Sequence, residues 1–439
     1  MSTTERKNMK DSKDTAQATT ASPLVGTERE FFESRREALR IDYEREVQEK
    51  VVRWEASSEA VLALTRKRYR KVRLVTSFGT IVLKCRRGIA PKAGWTCPAL
   101  LHLGIRKNQH YSPDIERRMA VLAVETGSYE KAARVADNAA WLCASDGAVH
   151  STIARLGKMA EATPPREACR GAAGPEDTLI LMADGWNARH RGVNWGVDTK
   201  NRDLPERVHW NEIRSAVIFK LSALLAVSGK RKALMEKHAV SVPAETSPYD
   251  FGIHLHREAL RMGLMKAKAV FFVMDGGVWL WNLYKDRFEK CSKATLDFYH
   301  LSQHLHALSA ALHGPDTEKS RIWCGRILHE LKHKSSKRLF RTLDELLREP
   351  PSDDSAAEAI RLQNAYFRNH AEHMDYAANA KLGVPIGSGS IESLCSQFQN
   401  RLKRTGQFWT KEGFAALLRV VVLYWNNELD SLWQAPAAA

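Results

Sequence analysis

The first third of the chain switches between helical and strand-like spacing of its apolar positions. From Glu28 to Glu55, apolar residues recur every three or four positions among dense charges, which predicts a long amphipathic helix. Residues 68–87 alternate instead and break at Ser77 to Gly79, which predicts a β-hairpin. Residues 1–27 have few apolar positions, so we expect a disordered tail. Three more helices are expected at residues 113–125, 128–139 and 145–158, each opened by a capping serine.

The second half of the chain has the pattern of an α/β sheet. Residues 179–183 and 270–274 are short apolar runs rich in β-prone residues, and each is followed directly by Asp-Gly. A helix is expected from Phe251 to Met265, before the second run. Because strand, crossover helix and strand follow one another, the two runs are expected to lie in one sheet.

The segment after the second strand is predicted to be helical. Asp275 and Glu392 are separated by 117 positions (392 − 275) with a mostly helical pattern and no convincing strand. We therefore expect an all-helical insertion. A last helix is expected from Ile391 to Arg404, capped by Ser388 or Ser390.

Three acidic residues stand out in this pattern. Asp184 and Asp275 end the two predicted strands, so their carboxylates are expected at the edge of the sheet where ligands usually bind. The glycine after each aspartate leaves room for a phosphate and water. Glu392 opens the last predicted helix and supplies a third acid. Asp-Gly is also ordinary turn chemistry, and Glu392 also suits the helix dipole, so a structural role stays open for each residue alone.

Charge and cysteine content narrow the class of protein. The 439 residues contain 67 Lys and Arg against 51 Asp and Glu, a net charge of +16 that favours a polyanionic partner such as double-stranded DNA. We expect no membrane span and a cytoplasmic, nucleoid-associated bacterial protein. Seven scattered cysteines without a C-x-x-C pair indicate reduced thiols rather than a disulfide framework.

Basic and aromatic residues at three places are candidates for DNA contact. Arg68, Arg70 and Arg73 are expected on the outward positions of the hairpin, although a solvated sheet edge has the same composition. The helices at 128–139 and 145–158 suit a helix-turn-helix. In that reading, Ser145, His150, Thr152 and Arg155 would face a major groove. Near the C-terminus, Arg401, Lys403 and Arg404 are candidate phosphate clamps, and Trp409 is a candidate stacking platform.

Together these motifs resemble the DDE transposases of bacterial insertion sequences, most closely the ISKra type and more distantly the Mutator-like superfamily. The resemblance covers roughly residues 60 to 430. It is carried by Asp184-Gly, Trp210-x-Glu212-Ile-Arg, Asp275-Gly-Gly with Trp279, Leu296-Asp297-Phe-Tyr-His300, Gly387-Ser-Gly-Ser-Ile-Glu392-Ser, and Arg401-Leu-Lys403-Arg404-Thr-Gly406-x-x-Trp409.

The resemblance implies an RNase H-like α/β catalytic core with an all-helical insertion. A mainly helical N-terminal DNA-binding region containing a β-hairpin precedes it. The implied domains are a tail (1–27), a DNA-binding region (28–162), the first part of the core (176–284), the insertion (285–386) and the C-terminal helices of the core (387–433).

The resemblance also implies a function. Asp184, Asp275 and Glu392 would hold two Mg²⁺ ions, with Mn²⁺ as a substitute, and His300 would assist catalysis. The enzyme would bind the terminal inverted repeats of its element, cut them and join them to target DNA, as a homo-oligomer on DNA. In one respect the chain departs from many relatives, because only Cys85 and Cys97 remain where a cysteine-rich zinc turn follows the hairpin. A metal there is in doubt.

Other readings of the sequence remain open. His329-Glu330-Leu-Lys-His333 satisfies the H-E-x-x-H pattern of zinc metalloproteases, but it lies in a Lys-rich, surface-like helix without an assignable third ligand. A catalytically inactive, transposase-derived DNA-binding protein would use the same basic residues. A junction-type nuclease of the same fold would cut branched DNA without joining ends. Glu212 either adds a fourth acid to the site or only pairs with Arg214.

Overall fold

In a computed structural model of the chain, the structure describes residues 23–91, 94–106, 109–140, 142, 144–164, 169–197, 206–228 and 231–434. The chain divides into two compact units, Met1–Glu116 with Ala437–Ala439, and Arg117–Pro436. Most of the predicted tail lies outside the described residues. Its last five residues, 23–27, are helical instead, because the first helix begins at Pro23 rather than at Glu28.

The N-terminal unit contains helices α1 (Pro23–Ser57), α2 (Glu59–Leu62) and α3 (Pro98–His102), and strands β1 (Thr65–Thr76), β2 (Gly79–Ala90) and β3 (Gly94–Thr96). Helix α4 (Pro113–Glu125) crosses the boundary between the units. The second unit continues with α5 (Tyr129–Ala140), α6 (Asp146–Ala162), β4 (Thr178–Arg191), β5 (Val208–Lys220), β6 (Leu224–Ser228), β7 (Arg231–Leu234), β8 (His238–Ser241), α7 (Pro248–Arg261), β9 (Ala269–Met274), α8 (Val278–Arg287) and β10 (Lys293–Leu296).

The remaining helices are α9 (Phe298–His313), α10 (Glu318–His333), α11 (Lys337–Arg348), α12 (Asp354–Asn369), α13 (Tyr376–Lys381), α14 (Gly389–Leu402), α15 (Lys411–Trp425) and α16 (Ser431–Gln434). Two short 3₁₀ turns lie at Leu221–Ala223 and Ala371–His373. No helix among the described residues is both long and apolar enough to cross a bilayer.

The predicted hairpin forms, and α1 covers one of its edges. β1 and β2 pair antiparallel from Thr76↔Gly79 outwards, and the turn falls at Ser77 and Phe78. Leu74, Ile81 and Leu83 pack with Val47 and Val51 of α1 in a small core. Alternate amides of β2 donate to α1 side chains: Val82 to Glu44 (3.0 Å), Lys84 to Gln48 (2.7 Å) and Arg86 to Glu55 (2.6 Å). Side chains of α1 therefore bond the part of the β2 edge that would otherwise be open to another strand.

A five-stranded mixed sheet organises the second unit, in the order β10-β9-β4-β5-β8. β4 pairs antiparallel with β5, and β5 pairs antiparallel with β8. β9 joins β4 in parallel on the other side, and β10 joins β9 in parallel. In chain order these are the fifth, fourth, first, second and third strands of the sheet, a meander of three followed by two parallel additions.

Both faces of the sheet are buried. Leu179, Leu181 and Phe272 belong to one core, which α7 to α13 complete. Ile180 and Met182 point the other way, into a second core with α4, α5, α6, α14 and α15. Burial on both faces explains why the central strands are continuous apolar runs rather than alternating ones.

The structure corrects three expectations. β4 does not end at Asp184 but continues to Arg191, because β5 pairs with it along its whole length. The segment from 285 to 386 is not all-helical, since β10 lies within it; four residues are too few for a periodicity signal. The helices at 128–162 do not belong to the unit of the hairpin, because the boundary falls at Glu116 and α6 packs on α15 instead.

Candidate active site and nucleic-acid interface

The strand register brings Asp184 and Asp275 together. The last parallel pair between β4 and β9 is Met182 with Val273. Asp184 lies two residues beyond Met182 within β4, and Asp275 lies two residues beyond Val273, directly after the end of β9, so the two carboxylates follow the same register on neighbouring segments. Side chains at equivalent positions leave the same face of the sheet. Asp184 Oδ1 accepts from its own Gly185 N–H at 2.6 Å, and Asp275 Oδ1 accepts from Gly277 N–H at 2.8 Å.

Helix α14 brings Glu392 to the same face. The helix packs over β4 and β5, where Phe398 stacks on Trp186 with the ring centroids 5.9 Å apart. Glu392 lies in its first turn, exposed, and its Oε1 accepts from Ser388 Oγ at 2.8 Å. Ser388 is therefore the N-cap residue, as one of the two expected caps, but its hydroxyl bonds the carboxylate rather than a backbone amide.

The pKa of Asp184 depends on its burial and on the charges of the neighbouring acids. Burial raises the pKa of Asp184 to about 6, against the lowering by the Gly185 N–H, and the charges of Asp275, Glu392 and Glu212 raise it further. Glu212 lies beside Gly185 across the β4–β5 pair and also forms an ion pair with Arg214 at 2.7 Å. Glu212 thus pairs with Arg214 while its charge acts on Asp184, and its role as a fourth acid near the metals stays a prediction. An all-oxygen donor set of this kind fits a hard divalent cation.

Asp297 bonds the N-cap residue of the helix that carries Glu392. It is 1% exposed and directly follows β10. Its Oδ1 accepts from the N–H groups of Tyr299 (2.5 Å) and His300 (3.0 Å), which caps α9, and its Oδ2 accepts from Ser388 N–H at 2.7 Å. The same carboxylate therefore links the start of α9 to the start of α14. Asp297 is thus the N-cap residue of α9.

The helical insertion reaches the acids through Tyr366 of α12. A Cβ on Gly276 would lie 2.6–2.7 Å from the Tyr366 ring and hydroxyl, so the tyrosine rests on the residue that follows Asp275. The Tyr366 hydroxyl is buried and has no hydrogen-bond partner among the described residues. Burial raises the pKa of Tyr366 above its usual range, and the charge of Asp275 adds to this. Sequence reasoning missed Tyr366, because nothing in a helical pattern marks a residue that crosses to another element.

The His300 ring packs beside His304, which lies one helical turn further along α9. The two rings are 5.1 Å apart, and His304 stacks on Tyr366 at 3.7 Å. The His300 ring is half-buried, and its centroid is 6.4 Å from that of Tyr366. His300 is thus close to Tyr366, the tyrosine that covers Gly276. The catalytic role of His300 stays a prediction.

The C-terminal basic motif separates into buried and exposed members. Arg401 is 5% exposed, its Nε donates to Ala123 O at 2.7 Å, and burial lowers its pKa to about 10. We therefore correct its assignment as a phosphate clamp: it ties α14 to α4. Trp409 donates to Leu402 O at 2.7 Å and packs against Phe414, which makes it part of the core rather than an open stacking platform. Lys403 is half-buried and Arg404 is exposed.

In the predicted helix-turn-helix, one of the candidate DNA-binding residues is also buried by packing. All three helices begin after the expected serines, and Ser145 Oγ accepts from Ala148 N–H at 3.1 Å. Thr152 is buried against Met119, and Gly157 lies against Ala416, so one face of α6 is used for packing on α15. Thr152 therefore does not face a groove. His150 is exposed beside Tyr129, and Arg155 is half-buried against Met159.

The three candidate arginines of the hairpin do not share one face. Arg68 and Arg70 lie on the same face of β1 as Leu74, whereas Arg73 lies on the opposite face with Tyr69. All three side chains are exposed. Cation–aromatic contacts occur on both faces: Lys84 lies over Tyr69 at 4.8 Å, and Arg68 lies over Trp95 at 4.6 Å. The hairpin is thus basic and aromatic on both sides.

A basic and aromatic cluster that sequence reasoning did not single out lies along β4 and β5 beyond the acids. Trp210, 57% exposed, lies opposite Arg189, and Lys403 Nζ is 5.1 Å from its ring. The Arg189 guanidinium also lies over Phe408 at 5.0 Å and donates to Arg404 O. The alternate positions of Arg189 and Arg191 could have predicted this cluster, but only if β4 were known to continue past Asp184. We call Arg189, Trp210, Lys403 and Phe408 the basic–aromatic cluster.

A second candidate metal site lies away from the sheet carboxylates. Among the described residues, one set of three His, Cys, Asp or Glu side chains has all its ligand atoms within 4.8 Å of one another, and it is Cys169, His238 and Glu258. The H-E-x-x-H motif is not such a set: His329 and His333 are exposed, and Glu330 is paired with Arg338 at 2.9 Å. Cys85 and Cys97 do not form one either, within the same described residues.

One family model and several solved structures match parts of this chain. The model of an uncharacterised protein family, UPF0236, matches residues 261–431, which is 171 of the 439 residues (431 − 261 + 1) and includes Asp275, His300 and Glu392 but not Asp184. A structure described as a Drosophila P element transposase strand transfer complex is similar at 12% identity, over 75% of this chain and 95% of that chain, with a TM-score of 0.38.

A structure described as NurA with manganese is also similar, at 12% identity over 64% of this chain and 61% of that one, with a TM-score of 0.11. At these TM-scores, neither likeness establishes a shared fold. No curated protein matches the sequence.

Proposed function

We propose that this chain is a DDE transposase that cuts and joins DNA at the ends of an insertion sequence. The observation that carries the proposal is the strand register that sets Asp184 beside Asp275, with Glu392 brought over them by α14. The order and directions of the five strands, three antiparallel and then two parallel, support an RNase H-like core. The argument rests on these residues and not on the likenesses to other structures.

Three carboxylates are enough to hold two ions. In two-metal sites the paired ions lie about 3.5–4 Å apart and share carboxylate ligands. Asp184, Asp275 and Glu392 would hold the ions. When bound, Mg²⁺ would activate the attacking water or 3′-hydroxyl and stabilise the leaving oxygen.

The protein's own groups prepare this chemistry. Gly185 and Gly277 N–H groups fix the two aspartates, and Ser388 fixes Glu392, so each carboxylate is oriented before substrate arrives. Tyr366 places a hydroxyl donor beside Asp275. Because no side chain forms a covalent bond to DNA in this scheme, the same carboxylates serve strand cleavage and the later attack of the 3′-hydroxyl on target DNA.

The basic–aromatic cluster gives DNA a path away from the acids. Arg189 is five residues beyond Asp184 on β4, which is about 17 Å at the rise of an extended strand. Duplex DNA advances by a similar distance in about five base pairs. Because five is an odd number of residues, the Arg189 side chain leaves the face of the sheet opposite to that of Asp184. Arg189, Lys403 and the exposed Trp210 would therefore contact DNA that passes beyond the end of the sheet, through phosphates and stacking rather than base edges.

Strand cleavage tests the proposal directly. Supercoiled DNA carrying the native element ends is incubated with the protein in Mg²⁺ and in EDTA, and wild type is compared with Asp275→Asn and with Asp286→Asn. Asp286 is a matched control, since it is an exposed aspartate of α8 and is paired with Arg287. We expect Mg²⁺-dependent nicking at the ends by wild type and by the control only. End binding without any cleavage by wild type would favour a catalytically inactive DNA-binding protein. Cleavage of branched DNA without end specificity would favour a junction nuclease.

A further inference from the structure

A buried cluster on the edge of the second unit contains three side chains of the types that bind transition metals. Cys169 precedes β4, His238 opens β8 and Glu258 lies in α7, and all three are less than 10% exposed. Cys169 Sγ is 4.0 Å from His238 Nε2, and that nitrogen is 3.0 Å from Glu258 Oε2. The ligand atoms of all three lie within 4.8 Å of one another.

The arrangement differs from a thiol–imidazole–carboxylate relay. In a relay, the carboxylate bonds one ring nitrogen and the thiol faces the other. Here the thiol and the carboxylate both approach the same nitrogen, Nε2 of His238, so the three groups converge on a point between them. Convergence of a sulfur, a nitrogen and an oxygen on one point is the geometry of ligands around a metal ion.

We propose that Cys169, His238 and Glu258 form a Zn²⁺ site. Zn–S and Zn–N bonds of roughly 2.3 and 2.0–2.1 Å in a tetrahedron separate neighbouring ligand atoms by about 3.3–3.7 Å. The observed separations of 4.0 and 3.0 Å lie on either side of that range, so small side-chain rotations form the site. The mixed donor set also separates this site from the carboxylates of the sheet, since thiolate and imidazole favour zinc over magnesium.

The surroundings leave Glu258 available to the metal. Arg261 bonds Glu258, but it also bonds Glu428 at 2.5 Å, so a second carboxylate keeps its charge compensated when Glu258 turns to a metal. Arg257 Nε lies 3.5 Å from the other Glu258 oxygen and fixes the carboxylate from outside. Such outer partners are typical of metal ligands.

An adjoining cavity supplies an entry path and a fourth position. A cleft of about 650 Å³ runs between α7, β8 and α15, and of the three ligands Glu258 forms part of its wall, beside Arg261 and Glu428. A water or hydroxide entering from this cleft completes four-coordination. Because the three ligands come from three separate segments, the ion fastens the segment before β4 to the edge strand β8 and to α7. Cys169 N–H already donates to Arg261 O at 3.2 Å along the same seam.

Metal content tests the site without reference to DNA cleavage. The full chain is purified from zinc-supplemented cells, passed through a metal-free column and analysed for bound metals. Wild type is compared with Cys169→Ser and with the matched control Cys291→Ser, whose half-buried thiol donates only to backbone carbonyls of its own helix end. We expect one Zn²⁺ per chain in wild type and in the control, and its loss from C169S. Zinc that C169S retains would place the ion elsewhere and overturn the proposal.

A second measurement needs no variant. The zinc is replaced with Co²⁺ in the intact chain, and a thiolate-to-cobalt charge-transfer band in the near ultraviolet reports a cysteine ligand. We expect the band, its removal by EDTA, and a melting temperature that falls by several degrees when the ion is removed. Absence of zinc and of the band would show that the cluster is a hydrogen-bond network only. Neither result depends on the proposed transposase activity, and loss of that activity in D275N would leave this site intact.

Discussion

At the scale of single residues, the position of Asp184 is unusual because it lies inside a continuous strand. Its carboxylate is half-buried, close to three other acids, and bonded by one amide. Without a metal, burial and the neighbouring acids oppose ionisation and outweigh the amide, which favours it, so the residue is suited to binding a cation rather than to stabilising the fold.

Asp184→Asn is expected to stabilise the metal-free protein while abolishing strand cleavage. Since the folded pKa is raised from 3.8 to about 6, the folded chain holds a proton that the unfolded chain releases between about pH 4 and 6. The free energy of unfolding of wild type therefore falls as pH rises through this window, and the loss persists above it. An asparagine has no such term, and it keeps the bond from Gly185 N–H. We expect D184N to exceed wild type by on the order of 2 kcal/mol above pH 6.

Melting temperatures in EDTA across pH 4–8 measure this difference. Asp146→Asn, an exposed aspartate in the first turn of α6, is the control and is expected to change little. A variant D184N that is no more stable than wild type at neutral pH would contradict the electrostatic account of the site. Addition of Mg²⁺ is expected to raise the melting temperature of wild type and not that of D184N.

Tyr366→Phe is expected to weaken metal use by the site. The hydroxyl beside Asp275 orients that carboxylate once the ions are present, and outer-shell groups of this type contribute on the order of 10–100-fold to metal affinity or activity. The measurement is the Mg²⁺ dependence of cleavage, which should shift to higher concentration with DNA affinity unchanged. Tyr376→Phe is the matched control, because that hydroxyl is also buried and unpartnered among the described residues, and the Tyr376 ring packs against Phe298. Equal effects of both variants would remove the special role of Tyr366.

At the scale of elements, two helix starts are joined by one side chain. Asp297 caps α9 and holds Ser388 at the start of α14, which places Glu392. An N-cap usually contributes about 0.5–2 kcal/mol. Here three amides lose a buried acceptor together, so the contribution should be larger.

Asp297→Ala is expected to lower the free energy of unfolding by about 3–4 kcal/mol. The control is Asp353→Ala, an exposed N-cap that accepts only from Ala356 N–H at 3.1 Å and should cost about 1 kcal/mol. Urea unfolding of both variants measures the difference. If the two losses were equal, the link between α9 and α14 would contribute nothing beyond an ordinary cap.

The β4–β5 pair carries Asp184 at one point and, further along, Arg189 and Trp210, against which Lys403 packs. Lys403→Ala is expected to weaken binding to all DNA sequences alike and to reduce the salt dependence of binding by about one unit of slope. Lys50→Ala is the control, because Lys50 of α1 is already paired with Glu46 at 2.6 Å. Fluorescence anisotropy with duplex DNA at several salt concentrations measures both slopes. An unchanged slope in K403A would place the DNA path elsewhere.

At the scale of the whole molecule, each compact unit has its own core. The core of the N-terminal unit comprises residues between Tyr43 and Ile105, and the two cores around the sheet begin at Ala120 and Cys169. We therefore expect a fragment of residues 113–436 to fold without the N-terminal unit. Calorimetry should show a cooperative transition for the fragment at a melting temperature close to one seen in the full chain. A fragment that lacks a cooperative transition would show that the core needs residues before 113.

Much of the local structure was predictable, because it depends on neighbouring residues. The helix at Pro113–Glu125 has the predicted bounds, and the hairpin turns where predicted, because capping, turn chemistry and periodicity are short-range effects. β10 was missed because its four residues carry too little pattern, and Arg401 was misjudged because charge alone does not show that a side chain is buried.

The sequence by itself determined the helices, the hairpin, the two apolar strands and the acids that follow them, since hydrophobic spacing and capping act within a few residues. Only the tertiary structure decided which of those residues meet. Strand pairing placed Asp184 beside Asp275 and carried β4 past it to Arg189, while packing buried Arg401 and brought Cys169, His238 and Glu258 together. These contacts join residues tens to hundreds of positions apart, and they depend on register and burial, which no local pattern encodes.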